Sequence, residues 1–196
     1  MELSKLPPLR RGWTTGACAT AAVRAAVTEL WGGLQPTQVQ ITLPKGERPI
    51  FQIAHRDSQD GWVEIGITKD AGDDPDVTHG ALIIARVSTS DSGIYFHAGE
   101  GVGIITKAGL PIAVGEAAIN PVPRQMMTEQ VQELANLYCQ SADLNITIII
   151  PGGAEVALKT WNPRLGIVGG LSVLGPTGIV RPFPVQPGLL QYTGAL

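Results

Sequence analysis

The sequence predicts an α+β fold: mixed β-sheet layers with hairpins, packed against two main helices. Three observations predict it. Two amphipathic helical stretches stand far apart. Many short alternating strands lie between and after them. Turn-rich connections join several strands, in place of a regular strand–helix–strand repeat. With 196 residues, 44% of them apolar, the chain can bury one core. Residues 1–182 read as one domain, and residues 183–196, broken by proline and glycine, as an irregular C-terminal tail.

Thr14-Thr15-Gly16 opens a helix over residues 16–31. Ala19, Val23, Ala26, Val27, Leu30 and Trp31 share one face, and Thr20, Arg24 and Thr28 the opposite one. A threonine caps this helix and Gly32-Gly33 stops it. Val39–Leu43 alternates, Pro44-Lys45-Gly46 turns, and Pro49–Ala54 returns as a hairpin partner. Trp62–Thr68 alternates again. Ala81–Val87 and Ile94–His97 flank Ser90-Asp91-Ser92-Gly93, which reads as a hairpin turn. Pro123 suits a first helical position, and Met127, Val131, Leu134 and Tyr138 form the stripe of a second helix ending near Gln140. Asn145–Ile150 reads as a buried strand, Pro151-Gly152-Gly153 as a turn, and Glu155–Thr160 as a further strand.

Charge and cysteine usage exclude several classes. Charged residues make up 16% of the chain and the net charge is -3, with no basic stripe of the kind that displaces counterions from nucleic acid. The longest apolar run, Ile146 to Pro151, is too short to span a bilayer. Met1 to Arg11 is polar and does not read as a signal peptide. Cys18 and Cys139 form neither a redox pair nor a zinc spacing with His55, His79 and His97, so no metal site is expected. Together these readings predict a reduced, soluble, cytoplasmic chain with no nucleic-acid or membrane partner.

Four segments carry candidate chemistry. Gly99-Glu100-Gly101-Val102-Gly103 brings main chain close to something, because glycine lacks a Cβ. Its spacing is not the dinucleotide fingerprint, and it reads either as a ligand contact or as a bulged strand end. Glu100 is the one acid there, an acceptor for a ribose hydroxyl or a ligand N–H. Gly169-Gly170-Leu171-Ser172 with Gly175-Pro176-Thr177-Gly178 reads as a cradle for an adenosine or a carboxylate, or as two tight turns around a strand. Lys69-Asp70-Ala71-Gly72-Asp73-Asp74-Pro75-Asp76 reads as a base, a hydrogen-bonding loop or a metal-ligand set, or as a solvated turn with capping aspartates. Thr14, Thr15, Gly16 and Cys18 begin a helix, whose free N–H groups favour anions, although simple capping explains the same residues.

In order, Arg11-Gly12-Trp13-Thr14-Thr15-Gly16-Ala17-Cys18-Ala19, Lys69 to Thr78, Gly99 to Gly103, Thr106-Lys107 with Gly109-Leu110-Pro111, Gly115-Glu116 with Ala118 to Arg124, and Asn162 to Ile167 with Gly169-Gly170 and Gly178-Ile179-Val180 make a recognisable set. This set resembles the cobalt-precorrin-5B C(1)-methyltransferase family of anaerobic cobalamin biosynthesis, over about residues 9–182. The resemblance implies methyl transfer from S-adenosylmethionine to C-1 of cobalt-precorrin-5B, forming cobalt-precorrin-6A. Cobalt then enters only within the tetrapyrrole substrate, which carries a rim of carboxylates. It implies catalytic roles for Asp70, Asp73 or Asp74, as partners of the cationic donor or as proton acceptors. The donor site is then expected at Gly99, Glu100, Gly101, Gly103, Gly169, Gly170, Ser172, Thr177 and Gly178. Thr14, Thr15, Gly16, Cys18, Asn120 and Arg124 are expected to receive the substrate. On this basis Asp73→Asn or Asp74→Asn lowers methyl transfer with the fold intact.

Pro176 departs from the family pattern, standing where the first of two threonines usually precedes Gly178-Ile179-Val180. Family members are usually much longer and continue into a second α/β half, which this chain is expected to lack. The alternative reading is a non-catalytic tetrapyrrole- or partner-binding module. The expected macromolecular partner is a second copy or a separate C-terminal half.

Overall fold

Helix α1 (Thr15–Gly32) runs through the middle of the molecule, and its sequence explains how. In the computed structural model, which describes residues 8–183, Thr14 caps the helix by accepting from the Ala17 N–H at 3.1 Å. Gly33 ends it in the left-handed region at φ 65°. Six alanines between Ala17 and Ala26 are fully buried, so neighbours approach the helix from nearly every side. Thr20 is not on a polar face as the periodicity predicts. It is fully buried, and its hydroxyl donates to the Gly16 carbonyl at 2.8 Å. The reason is tertiary: one side of α1 lies on the sheet and another packs on helix α2 (Pro121–Tyr138). Arg24 joins the two helices, donating to Gln130 at 2.6 Å and to Glu133 at 3.1 Å.

The main sheet has five strands in the order β4 (His55–Gln59), β5 (Trp62–Thr68), β6 (Leu82–Thr89), β9 (Leu144–Ile149) and β7 (Ile94–Ala98). Its inner face buries Ile65, Ile83, Ala85, Ile146 and Ile148 against α1 and α2. Three two-stranded ribbons complete the described fold: β1 (Gly12–Trp13) with β11 (Ile179–Val180), β2 (Gln38–Gln40) with β3 (Ile50–Gln52), and β8 (Ile104–Ile105) with β10 (Ile167–Val168). Two short helices, α3 (Gly153–Ala157) and α4 (Asn162–Leu165), follow β9. This is the α+β class with two main helices that the sequence predicts. The tail expected over residues 183–196 lies, beyond Phe183, outside the described residues.

Three local expectations change. The strands around Ser90–Gly93 do not pair with each other. β9 lies between them, antiparallel to β6 and parallel to β7. Asp143 holds the opened turn: its carbonyl accepts from the Ser90 N–H at 3.0 Å and its Oδ1 from the Gly93 N–H at 2.5 Å. A central position buries Leu144, Ile146 and Ile148 completely, and that burial outweighs the local hairpin preference. Glu155–Thr160 is not a strand. Its first half belongs to α3, because Ala, Glu, Leu and Lys favour a helical turn more strongly than Val156 and Leu158 favour alternation. The β4–β5 hairpin was not anticipated, although Asp60-Gly61 is a strong hairpin dipeptide, with Gly61 at φ 91°.

Candidate functional site

The start of α1, the loop after β5 and the segments around α4 and β11 converge on a cleft of about 460 Å³. That volume lies within the usual range of small-molecule sites, about 300–1,000 Å³. Apolar residues form most of the wall, among them Leu110, Ile112, Trp161, Leu165 and Leu171. Polar groups are few: Thr14 and Thr15 from α1, Asn120 from the start of α2, Ser172, Asn162 and Thr160, and a cluster from the loop after β5.

That cluster is Lys69, Asp76 and Thr78. Lys69 follows the last residue of β5, and its backbone still bonds to Ala81 and Gly80, so its side chain is aimed by the sheet. The residue is 1% exposed. Its Nζ donates to Asp76 Oδ2 at 2.6 Å and to Thr78 Oγ1 at 2.7 Å. Asp76 Oδ1 accepts from the Thr78 N–H at 2.7 Å and from its hydroxyl at 2.6 Å. Burial pushes the Asp76 carboxyl up, but hydrogen bonds from Lys69 and Thr78 outweigh burial and leave it below the usual carboxylate range. Asp76 is therefore an anchored, ionised group at neutral pH, unsuited to take a proton.

Among the residues singled out from sequence, Thr14, Thr15, Asn120 and Ser172 meet at this cleft. Asp70, Asp73 and Asp74 do not line it. Arg10 holds Asp70 in a two-pronged pair at 2.5 and 2.9 Å, and the Arg10 N–H donates to Asp73 Oδ2 at 2.5 Å. The Arg10 guanidinium, with the Gly72 N–H, keeps the Asp70 carboxyl down at about 2.

The glycine-rich segments do come together, but chiefly on each other. Leu171 donates to the Gly101 carbonyl at 2.8 Å, and Gly103 donates to the Leu171 carbonyl at 2.9 Å. A Cβ on Gly101 would strike the Ile150 carbonyl oxygen, and one on Gly170 would strike the carbonyl of Gly101. Close main-chain approach thus accounts for the glycines at 101 and 170. Gly99 packs on Ile149, Gly103 on Ile167 and Gly178 on Leu43, whereas Gly169 faces open space. Glu100 is exposed away from the cleft lining. Thr177 Oγ1 closes its own turn on Ile179 at 3.1 Å.

The first turn of α1 has little left for an anion. Gly16 N–H donates to Leu174 at 2.7 Å, Ala17 to Thr14 Oγ1, and Cys18 to the Thr14 carbonyl at 3.1 Å. The Cys18 thiol is fully buried, and burial pushes it up to about 12. Arg124 donates to the carbonyls of Ile119 at 2.8 Å and Ala117 at 3.0 Å, pairs with Glu116 at 2.8 Å, and stacks over Phe96.

Sequence reasoning passed over Lys69, Thr78 and Trp161, and read Asp76 only as one acid of four. A signal for Asp76 was present. Asp-Val-Thr is a spacing at which an aspartate accepts from the N–H two residues on. Among the described residues, no group of three His, Cys, Asp or Glu side chains is placed to hold a metal ion.

A family model described as CbiD matches residues 2–182. The chain belongs to the CbiD family. Among CbiD relatives, the cobalt-precorrin-5B C(1)-methyltransferase of Brucella anthropi is 61% identical over 177 residues, covering 89% of this chain and 48% of the relative. That of Rhodospirillum rubrum is 60% identical over the same shares. The chain thus spans about half the length of the curated relatives it matches. The crystal structure of the cobalamin biosynthesis protein CbiD from Archaeoglobus fulgidus is similar at a TM-score of 0.70 and 33% identity, over 89% of this chain and 55% of that one.

Proposed function

We propose that this chain contributes the cleft of a cobalt-precorrin-5B C(1)-methyltransferase, in which a methyl group passes from S-adenosylmethionine to C-1 of the cobalt-bearing macrocycle to form cobalt-precorrin-6A. The observation that carries the reading is the cleft itself, formed in part by residues of the motifs that carry the CbiD resemblance: Thr14-Thr15, Lys69 with Asp76 to Thr78, Asn120, and Asn162 with Leu165. Relatives that bear this activity by name are about 60% identical here.

The donor set fits an adenosyl sulfonium: hydroxyls of Thr14, Thr15 and Ser172, the Asn120 amide, and apolar walls that include the Trp161 ring. When bound, S-adenosylmethionine supplies an electrophilic methyl group, whose bond to sulfur breaks with the electron pair left on sulfur as the macrocycle carbon forms its new bond. The chain's own residues orient and desolvate. Leu110, Ile112, Leu165 and Leu171 exclude water, while the Lys69–Asp76 pair and the hydroxyls set the angle of approach. Holding two reactants in line is worth up to about 7–11 kcal/mol of barrier. The expected roles of Asp70, Asp73 and Asp74 remain proposals on the outer side of the loop, where only indirect support of Asp76 is open to them.

A cleft of about 460 Å³ suits one ligand of nucleoside size more readily than donor and macrocycle together. That favours, as a second reading, a binding module that works against another polypeptide. Leu158, Trp161, Leu165 and Val168 recur every three or four residues and are each at least half exposed, which supports such a contact. No helix among the described residues is long and apolar enough to cross a membrane. The test is to incubate the chain with cobalt-precorrin-5B and methyl-labelled S-adenosylmethionine. Label in a product one methyl group heavier supports the enzyme reading. Corrinoid binding without donor binding or turnover supports the module.

A further inference from the structure

We propose that Lys69 is the anion-recognition residue of this cleft, binding a carboxylate of the ligand through the ammonium hydrogen its protein partners leave over. An ammonium carries three N–H donors. Asp76 and Thr78 accept two of them, at 2.6 and 2.7 Å, and among the described residues no acceptor takes the third. The side chain is 1% exposed, so bulk water does not satisfy that donor freely. A buried charged donor left unmatched is costly, and a ligand oxygen arriving from the cleft relieves that cost.

Several other anion donors near the cleft are already engaged. The Gly16, Ala17 and Cys18 amides bond to protein acceptors, and Arg124 is occupied by two carbonyls and Glu116. Lys69 is the one cationic residue lining the cleft among the described residues. Asp76 does not block this role. Its Oδ1 is fixed by Thr78 and its Oδ2 accepts one Lys69 hydrogen, so the carboxylate is held in place and takes no second hydrogen from the ammonium.

This inference rests on the proposed methyltransferase reading and names the ligand chemistry that reading requires. The carboxylate has two sources: the amino-acid end of the methyl donor, or an acetate or propionate on the macrocycle rim. Two ligand pairs separate them. S-adenosylhomocysteine carries the donor's carboxylate and methylthioadenosine does not. Cobyrinic acid carries the rim carboxylates and its heptaamide does not. Calorimetric titration of the full chain is expected to show at least about a tenfold preference for the acid within one pair, the size of one charge-assisted hydrogen bond. The pair that shows it identifies the source.

Removing Lys69 alone would strand Asp76, so the variant is Lys69→Met/Asp76→Asn, which removes both charges. It is expected to abolish the preference, so that the acid and its carboxylate-free partner bind alike. Should that variant fail to fold, the Lys69 ammonium signal in nitrogen-15 spectra of the wild-type chain decides. It shifts with the acid and stays put with the neutral analogue. Equal affinity within both pairs, a preference that survives the double variant, or an unmoved ammonium signal overturns the assignment of Lys69 alone. Binding of none of the four ligands overturns the methyltransferase reading and this inference with it.

Discussion

The glycine-dense seam and the acidic loop are equally conspicuous in the sequence, and the fold uses them in opposite ways. In the seam, Gly101 and Gly170 lie main chain against main chain, next to an isolated bridge between Val102 and Leu171. In the loop, three of four aspartates are not among the residues that line the cleft, and the fourth anchors a buried lysine. Glycine reports that something comes close, without saying whether it is a ligand or another stretch of backbone. A carboxylate's role depends on which side of its loop turns inward, and tertiary contacts decide that.

Substitutions sharpen or break this contrast. The largest effect is expected at Gly101→Ala, which combines φ 75° with a collision against the Ile150 carbonyl. It should cost about 4 kcal/mol in urea unfolding. Gly169→Ala, at φ 90° with open space around it, should cost about 1 kcal/mol. Equal costs would mean that seam packing is not what these glycines provide. Next comes Lys69→Met, which leaves Asp76 half-buried without its partner and should cost about 3 kcal/mol. The double change with Asp76→Asn should recover part of that loss, and a double-mutant cycle measures how much.

Ser172→Ala should weaken S-adenosylhomocysteine binding severalfold, about 1 kcal/mol, without moving the melting temperature. Asp74→Asn should change methyl transfer less than about twofold, since its position carries no direct route to a ligand in the cleft. This departs from the expectation drawn from sequence, and a much larger loss would return the outer face of the loop to the mechanism. The smallest effect concerns acid. The Asp70 carboxyl lies below its ordinary value of 3.8, at about 2. Its contribution is therefore present above roughly pH 4 and lost as the pH falls through about 2. Asp70→Asn should lower stability slightly at pH 7, leave it unchanged below about pH 2, and so flatten that part of an acid-unfolding curve, a small effect for a solvent-screened pair.

Several features of the site were readable locally. The Thr14 cap and the Gly33 stop follow from residue types within one turn of the helix. Thr14, Thr15, Asn120 and Ser172 were picked out before any geometry, and they share one cleft. Lys69 was not, because a lone lysine beside four aspartates looks like a solvated charge until burial removes it from water. Its backbone is fixed by bonds to Gly80 and Ala81 at the end of β5, and that pairing is not visible in the loop's own composition.

By itself, then, the sequence determined the α+β class, the two long helices and the family, because capping, periodicity and ordered motifs are properties of neighbouring residues. Only the tertiary structure decided that β9 enters between β6 and β7, that α1 is enclosed on both sides, and that Asp76 with Lys69, in place of Asp70, Asp73 or Asp74, meets the cleft. Those outcomes depend on pairings between residues far apart in the chain, where the free energy of burying apolar surface exceeds any local turn or charge preference.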